Sequence, residues 1–197
     1  HQCVVRPDVI SLGACTSACG QEGQWCRALY LIAKAQAVGP EPNAVAWNAA
    51  ATACERAGHW AWALQLLGDM VERGDGHPTP TVVSYSVGVS ACVEAGLWQA
   101  ALAFLRELQL GRGLEANAVS YNAAITACEK GQQCEFALEL LEEMPQRGLR
   151  PTLISCNAAI SACEKGGRYE QALELLRSME VRDVVSYSAA ISACEKQ

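Results

Sequence analysis

Apolar residues along this chain fall in clusters whose members lie three and four positions apart. Tyr121, Ala124, Ile125 and Cys128 show the i, i+3, i+4, i+7 stripe of an amphipathic helix. A related stripe recurs when Val9, Ala44, Val82, Ala118, Leu153 and Val184 are each taken as position 1 of a repeat, with spacings of 35, 38, 36, 35 and 31 residues. The recurrence is close to literal: Asn48-Ala-Ala-Ala-Thr-Ala-Cys54-Glu-Arg, Asn122-Ala-Ala-Ile-Thr-Ala-Cys128-Glu-Lys, Asn157-Ala-Ala-Ile-Ser-Ala-Cys163-Glu-Lys and Ser188-Ala-Ala-Ile-Ser-Ala-Cys194-Glu-Lys. Each stripe predicts the first helix of a unit. Gly or Ala at positions 14 and 15, as in Ala57-Gly58, Ala95-Gly96 and Gly166-Gly167, predicts its end.

A second helix follows in each unit, with Ala28, Ala63, Ala101, Ala137 and Ala172 at position 20, Leu at 21, and large apolar residues such as Leu140, Leu141 and Met144 at 23, 24 and 27. Pro and Gly around Gly39-Pro40, Gly76-His77-Pro78 and Gly148 to Pro151 then break the chain. A period in this range is the mark of stacked helical hairpins, in which each unit buries its apolar face only against its neighbours. The pattern therefore predicts one all-α solenoid over residues 1–197, with repeats 9–43, 44–81, 82–117, 118–152 and 153–183 and a partial repeat 184–197. Residues 1–8 read as the tail of a preceding repeat, Arg6-Pro7-Asp8 matching Arg150-Pro151-Thr152. The chain is thus expected to be a segment of a longer protein, and any targeting peptide to lie outside it. Small residues at positions 6, 7 and 10 let first helices approach closely and line one face, a concave groove.

Composition changes this picture in two places. Eleven cysteines would suit a disulfide scaffold. Six of them, Cys19, Cys54, Cys92, Cys128, Cys163 and Cys194, share position 11 of the first helix, where a free thiol serves as a small buried hydrophobe in a reducing compartment. The hydrophobic fraction of 51% includes no apolar run of 18 residues, so no membrane span is expected.

Tetratricopeptide and pentatricopeptide repeats both have this length, and the start of the first helix separates them. The chain resembles the pentatricopeptide repeat family through Val82-Val83-Ser84-Tyr85-Ser86, Ala118-Val119-Ser120-Tyr121-Asn122 and Val184-Val185-Ser186-Tyr187-Ser188, followed by Ala/Ile-Ser-Ala-Cys-Glu-Lys-Gly and Ala-Leu-Glu-Leu-Leu-x-x-Met. The Trp and Gly-Tyr pattern of tetratricopeptide repeats is missing from the first helix. The resemblance implies a right-handed α-α superhelical solenoid of helix-turn-helix repeats that binds single-stranded RNA, one base per repeat, in organellar RNA processing, stability or editing. It also implies residence in a mitochondrion or plastid and contact with other RNA-processing proteins.

In that family the residue at position 5 and the last residue of the repeat read the base. The pairs here are Gly13 with Asn43, Asn48 with Thr81, Ser86 with Asn117, Asn122 with Thr152, and Asn157 with Asp183, while Ser188 opens an incomplete pair. Short polar side chains of this kind suit the Watson-Crick edge of an unstacked base. Position 2 is Ile10, Val45, Val83, Val119, Ile154 or Val185, aliphatic and β-branched throughout. The resemblance makes these the residues that sandwich the base; hydrophobic staples at the helix entrance are the alternative. Arg56, Lys130, Lys165 and Lys196 at position 13 would contact phosphate, or else complement the helix dipole, with Gln21 and Glu94 as departures.

A net charge of −6 is unusual for a nucleic-acid binder. Acidic residues gather on second helices, at Glu135, Glu139, Glu142, Glu143, Glu170 and Glu174, where the outer side of the solenoid would carry them. The family's pair preferences imply 5′-(A)-Y-A-Y-U-3′ as the bound sequence. The 38-residue second repeat carries the extra Gly74-Asp75-Gly76-His77, expected to displace Thr81. The 31-residue fifth repeat resembles the short variant found in proteins that target RNA editing sites.

Signs of catalysis are lacking. His1, His59 and His77 are scattered and open no His-x-Glu motif, there is no Cys-x-x-Cys, and Cys15 and Cys19 lack a second pair of metal ligands. No phosphate-cradling Gly-x-x-x-x-Gly-Lys loop occurs. No cofactor is expected, and the segment should not be an enzyme by itself. The alternatives to an RNA binder are a protein-interaction scaffold using the same groove and the RNA-targeting arm of an enzyme whose catalytic domain lies outside residues 1–197.

Overall fold

The computed structural model describes residues 8–39, 41–72, 78–110 and 114–195. His1, His77, Lys196 and the Gly74 to His77 insertion lie outside the described residues. The chain divides into two compact units, His1–Ala95 and Gly96–Gln197. The first holds α1 (Val9–Gln21), α2 (Trp25–Val38), α3 (Ala44–Arg56), α4 (Trp60–Glu72) and α5 (Val82–Ala95). The second holds α6 (Trp98–Leu110), α7 (Ala118–Lys130), α8 (Cys134–Gln146), α9 (Leu153–Lys165), α10 (Tyr169–Ser178) and α11 (Val184–Glu195). No strand occurs among the described residues.

Within each unit the architecture is a row of hairpins. α1 packs against α3 and α3 against α5 in the first unit; α7 packs against α9 and α9 against α11 in the second. Second helices pack on the first helix of their own repeat and on that of the next, as α4 does on α3 and α5, and α8 on α7 and α9. Each repeat therefore completes its core with the repeat that follows, and a single hairpin has no core of its own.

First helices begin where the last residue of the preceding repeat caps them. Asp8 Oδ1 accepts from the Ser11 N–H at 2.7 Å, Asn43 Oδ1 from Ala46 at 3.0 Å and Asn117 Oδ1 from Ser120 at 3.0 Å, pairing backbone donors that the helix leaves open. They end on a left-handed residue at position 15, with φ of 66° at Gly23, 77° at Gly58, 70° at Gly96 and 68° at Gly167. In the fourth repeat Gln132 takes that conformation at φ 57°, where a side chain is disfavoured.

Packing follows the alanines and cysteines. All five position-20 alanines are wholly buried, as are Cys54, Cys92, Cys128 and Cys163. Gly20 allows α1 close to α3: a methyl group built there would stand 3.4 Å from the Ala49 carbonyl oxygen and 3.5 Å from Ala53 Cβ. Tyr121, Ile125 and Ile160 fill the wider gaps, each worth about 1.5–3 kcal/mol on burial. Two cysteines depart from the expected burial: Cys19 is half-buried and Cys194 exposed. Their helices, α1 and α11, each have a neighbouring first helix on one side only.

Candidate nucleic-acid interface

The residues at position 5 and at the ends of repeats meet in space. Asn48 Nδ2 donates to Thr81 Oγ1 at 3.1 Å, Asn122 Nδ2 to Thr152 Oγ1 at 3.2 Å, and Asn157 Nδ2 to Asp183 Oδ1 at 3.1 Å. Three pairs separated by 33, 30 and 26 residues thus form the same contact. The expected displacement of Thr81 is corrected: the longer second repeat delivers it to Asn48 as well as the fourth delivers Thr152 to Asn122, because Thr81 is anchored to the next helix start through Ser84.

Gly13 is buried, and a methyl group built on it would lie 3.8 Å from Val45 Cγ1, while Asn43 caps α3. Ser86 donates its hydroxyl to the Val82 carbonyl at 2.8 Å, Ser188 donates to Val185 at 3.0 Å, and Asn117 is exposed at the start of α7.

The position-2 residues stand out of the surface. Ile10 is 79% exposed, Val45 61%, Val83 56%, Val119 63%, Ile154 66% and Val185 57%, which rules out a staple buried against the following turn. In the first unit Val45 and Val83 line a groove of about 350 Å³, together with Asn48, Gly20, Gln21 and the cation Arg56. An aliphatic residue from each of two consecutive repeats therefore borders the slot whose floor is the Asn48 amide. Asn48 itself is only 8% exposed, so an entering planar group meets no more than an edge of that amide.

Charge at position 13 is tempered. Lys165 Nζ is 2.8 Å from Glu129 of the preceding repeat, and Glu129 also accepts from Ser161 at 3.0 Å. Ser192 donates to Glu164 at 2.8 Å in the same way one repeat on. Lys130 is exposed, and Arg56 reaches the groove. The second-helix acids Glu135, Glu139, Glu142, Glu170 and Glu174 are exposed on α8 and α10; Glu143 is half-buried and pairs with Arg147 at 2.8 Å.

The cysteine ruler is chemically quiet. Burial pushes the Cys54 and Cys92 thiols to about 11 and Cys128 to about 12, far from thiolate formation near neutrality. Among the described residues no group of three or more His, Cys, Asp or Glu is placed to hold a metal ion, and no helix is long and apolar enough to cross a membrane.

One element escaped the sequence reading. Ser84 and Ser186, at position 3, donate to Asn48 Oδ1 at 2.7 Å and to Asn157 Oδ1 at 2.6 Å, adding a third member to each pair. The available signal was a hydroxyl three residues after a capping residue, the spacing of a reciprocal cap.

The profile of the pentatricopeptide repeat domain matches residues 104–168, and that of the PPR repeat matches residues 45–75 and 154–184. The chain belongs to the pentatricopeptide repeat family. Among solved structures of this family, that of PPR10 from maize is 26% identical with a TM-score of 0.66 over 95% of the chain. PPR10 in complex with an 18-nt psaJ RNA element gives 27% identity and 0.70 over 98%. The pentatricopeptide repeat domain of Arabidopsis thaliana protein-only RNase P 1, solved with tRNA, shares the fold at 13% identity and TM-score 0.78, covering 91% of this chain and 95% of that domain. The chain spans about a quarter of PPR10, 27% of its length. No curated protein matches the sequence.

Proposed function

We propose that this pentatricopeptide repeat segment binds single-stranded RNA in a sequence-selective way, one base per repeat, and serves the processing, stability or editing of an organellar transcript in a mitochondrion or plastid. The observation that carries the reading is the slot in the first unit: Val45 and Val83 on its borders, Asn48, bonded to Thr81, in its lining, and Arg56 beside it. An aliphatic border accepts any base face, and an amide with a partner hydroxyl offers donors and acceptors to a base edge. The 27% identity to PPR10, which was solved with bound RNA, supports the same reading.

With the family's pair preferences and parallel polarity the sequence read is 5′-(A)-Y-A-Y-U-3′, uracil facing Asn157 and Asp183. The paired Lys165 and the net charge of −6 leave base contacts to supply more of the affinity than phosphate contacts do. Selection of this chain on a randomised short RNA pool at fixed salt tests the proposal. Enrichment of uracil opposite repeat five is expected, and the double change Asn157→Thr with Asp183→Asn moves the preference toward adenine. Recovery of RNA without any base preference at that place would refute the assignment.

A further inference from the structure

We infer that the position-3 hydroxyl of the following repeat, carried by Ser84, Ser155 and Ser186, is a positioning residue that sets which end of the reading asparagine points where. The inference rests on the RNA-reading proposal for its consequence, and on hydrogen-bond geometry for its content.

The two ends of an asparagine amide have nearly the same shape, so only surrounding donors and acceptors orient it. A threonine hydroxyl both donates and accepts, and Thr81 alone would tolerate either orientation of Asn48. The serine removes the ambiguity. Ser84 Oγ accepts the Thr81 backbone N–H at 2.9 Å, which directs its own proton away from the cap and toward Asn48 Oδ1, 2.7 Å distant. Nδ2 is then left to face Thr81. Ser186 accepts the Asp183 N–H at 3.2 Å and stands between two acceptors, Asn157 Oδ1 at 2.6 Å and Asp183 Oδ1 at 2.8 Å; there the carboxylate, which only accepts, already draws Asn157 Nδ2 to itself, so the serine decides the orientation alone only at Asn48.

The fourth repeat shows the same parts in the other setting. Ser155 accepts the Thr152 N–H at 2.7 Å but turns its proton to the Thr152 carbonyl at 2.8 Å, and Asn122 Oδ1 is buried without a donor. The serine hydroxyl thus has two settings, cap-facing and amide-facing, and the second locks the amide. Where position 5 is Gly13 and there is no amide to hold, position 3 of the next repeat is Ala46.

The test compares the unmodified chain with Ser84→Ala and Ser84→Thr, reading affinity for four RNAs that differ only in the base opposite repeat two. Loss of one hydrogen bond is expected to lower the pyrimidine preference about three- to tenfold in Ser84→Ala. Ser84→Thr, which keeps the hydroxyl, restores it. Equal weakening for all four bases would reduce the serine to a helix cap and overturn the inference, as would an unchanged preference. A measurement on the unmodified chain holds even where the alanine variant fails to fold: solvent exchange of the side-chain amide protons, read by NMR, should be slower for Asn48 than for Asn122, both of which face a threonine, and equal rates would overturn the inference. If the unmodified chain itself shows no base preference, the RNA reading falls and the exchange rates alone decide the role of the serine.

Discussion

Repeats four and five of this chain differ by four residues in length and still bring position 5 onto the last residue of the repeat. The fourth, 118–152, has a second helix of 13 residues; that of the fifth, 153–183, has 10. Three of the four missing residues therefore come out of the second helix and one out of the linker. The shorter helix ends on a substitute cap, with Arg182 donating to the carbonyls of Leu176 at 2.6 Å and Arg177 at 2.7 Å, where the longer one closes through backbone N–H groups of Arg147, Gly148 and Leu149. Asp183 nonetheless reaches Asn157 at 3.1 Å, as Thr152 reaches Asn122 at 3.2 Å. In the fifth repeat length is taken from the second helix, while its first helix, α9, is held between α7 and α11 and keeps its 13 residues.

The two repeats also differ in how firmly they are built, and this difference can be tested. At position 14 a methyl group on Gly131 would stand 2.7 Å from Cγ of Trp98, whose ring lies 5.4 Å from that of Phe136, whereas one on Gly166 would meet Ala162 O and Cys134 Cβ at 3.2 Å. Gly131→Ala is expected to cost about 1–3 kcal/mol in urea unfolding, the penalty of overpacking, and Gly166→Ala less. Equal costs would mean that Trp98 swings aside freely and that the fourth repeat is no tighter there than the fifth.

A smaller effect of opposite sign is expected one residue on. Gln132 holds φ 57° where the fifth repeat has Gly167 at 68°. Gln132→Gly should raise stability by about 0.5–1 kcal/mol, since relief of left-handed strain outweighs the added freedom of glycine in the unfolded chain. A loss of stability would show that the Gln132 side chain contributes more than its backbone costs.

The smallest expected effect separates the reading pairs themselves. The Ser186 backbone N–H, and after it the Ser186 hydroxyl, hold the half-buried Asp183 carboxyl below its ordinary value. A carboxyl whose folded pKa is depressed contributes its stabilisation above the unfolded value and loses it as pH falls through the folded one. The Asn157 side-chain amide resonances should therefore shift only at a pH below the ordinary aspartate range, and those of Asn122, whose partner is a threonine, should not follow. A shift of both together would point to general acid unfolding rather than to the Asp183 contact.

Much of this was legible in the chain. Helices, their order and the burial of Cys54, Cys92, Cys128 and Cys163 follow from a period that needs only local spacing. The exposure of the position-2 aliphatics was legible only through the family resemblance, since composition alone would have buried them. Cys19 and Cys194 were misplaced because their helices, α1 and α11, each pack against a single first helix, whereas those of the buried Cys54 and Cys163 pack against two. The insertion in repeat two looked disruptive in sequence; the cap that ties Thr81 to Ser84 isolates the reading pair from it.

Sequence by itself determined the repeat register and the helical hairpin as the repeating unit. Those properties depend on spacings within a helix, which 3.6 residues per turn make unavoidable. Tertiary structure decided whether residues 26 to 33 positions apart come within 3.2 Å, which hydroxyl turns to which amide, and which lysine already has its charge matched. These depend on how one hairpin seats on the next and on the rotation of single side-chain bonds, and a one-dimensional pattern contains neither.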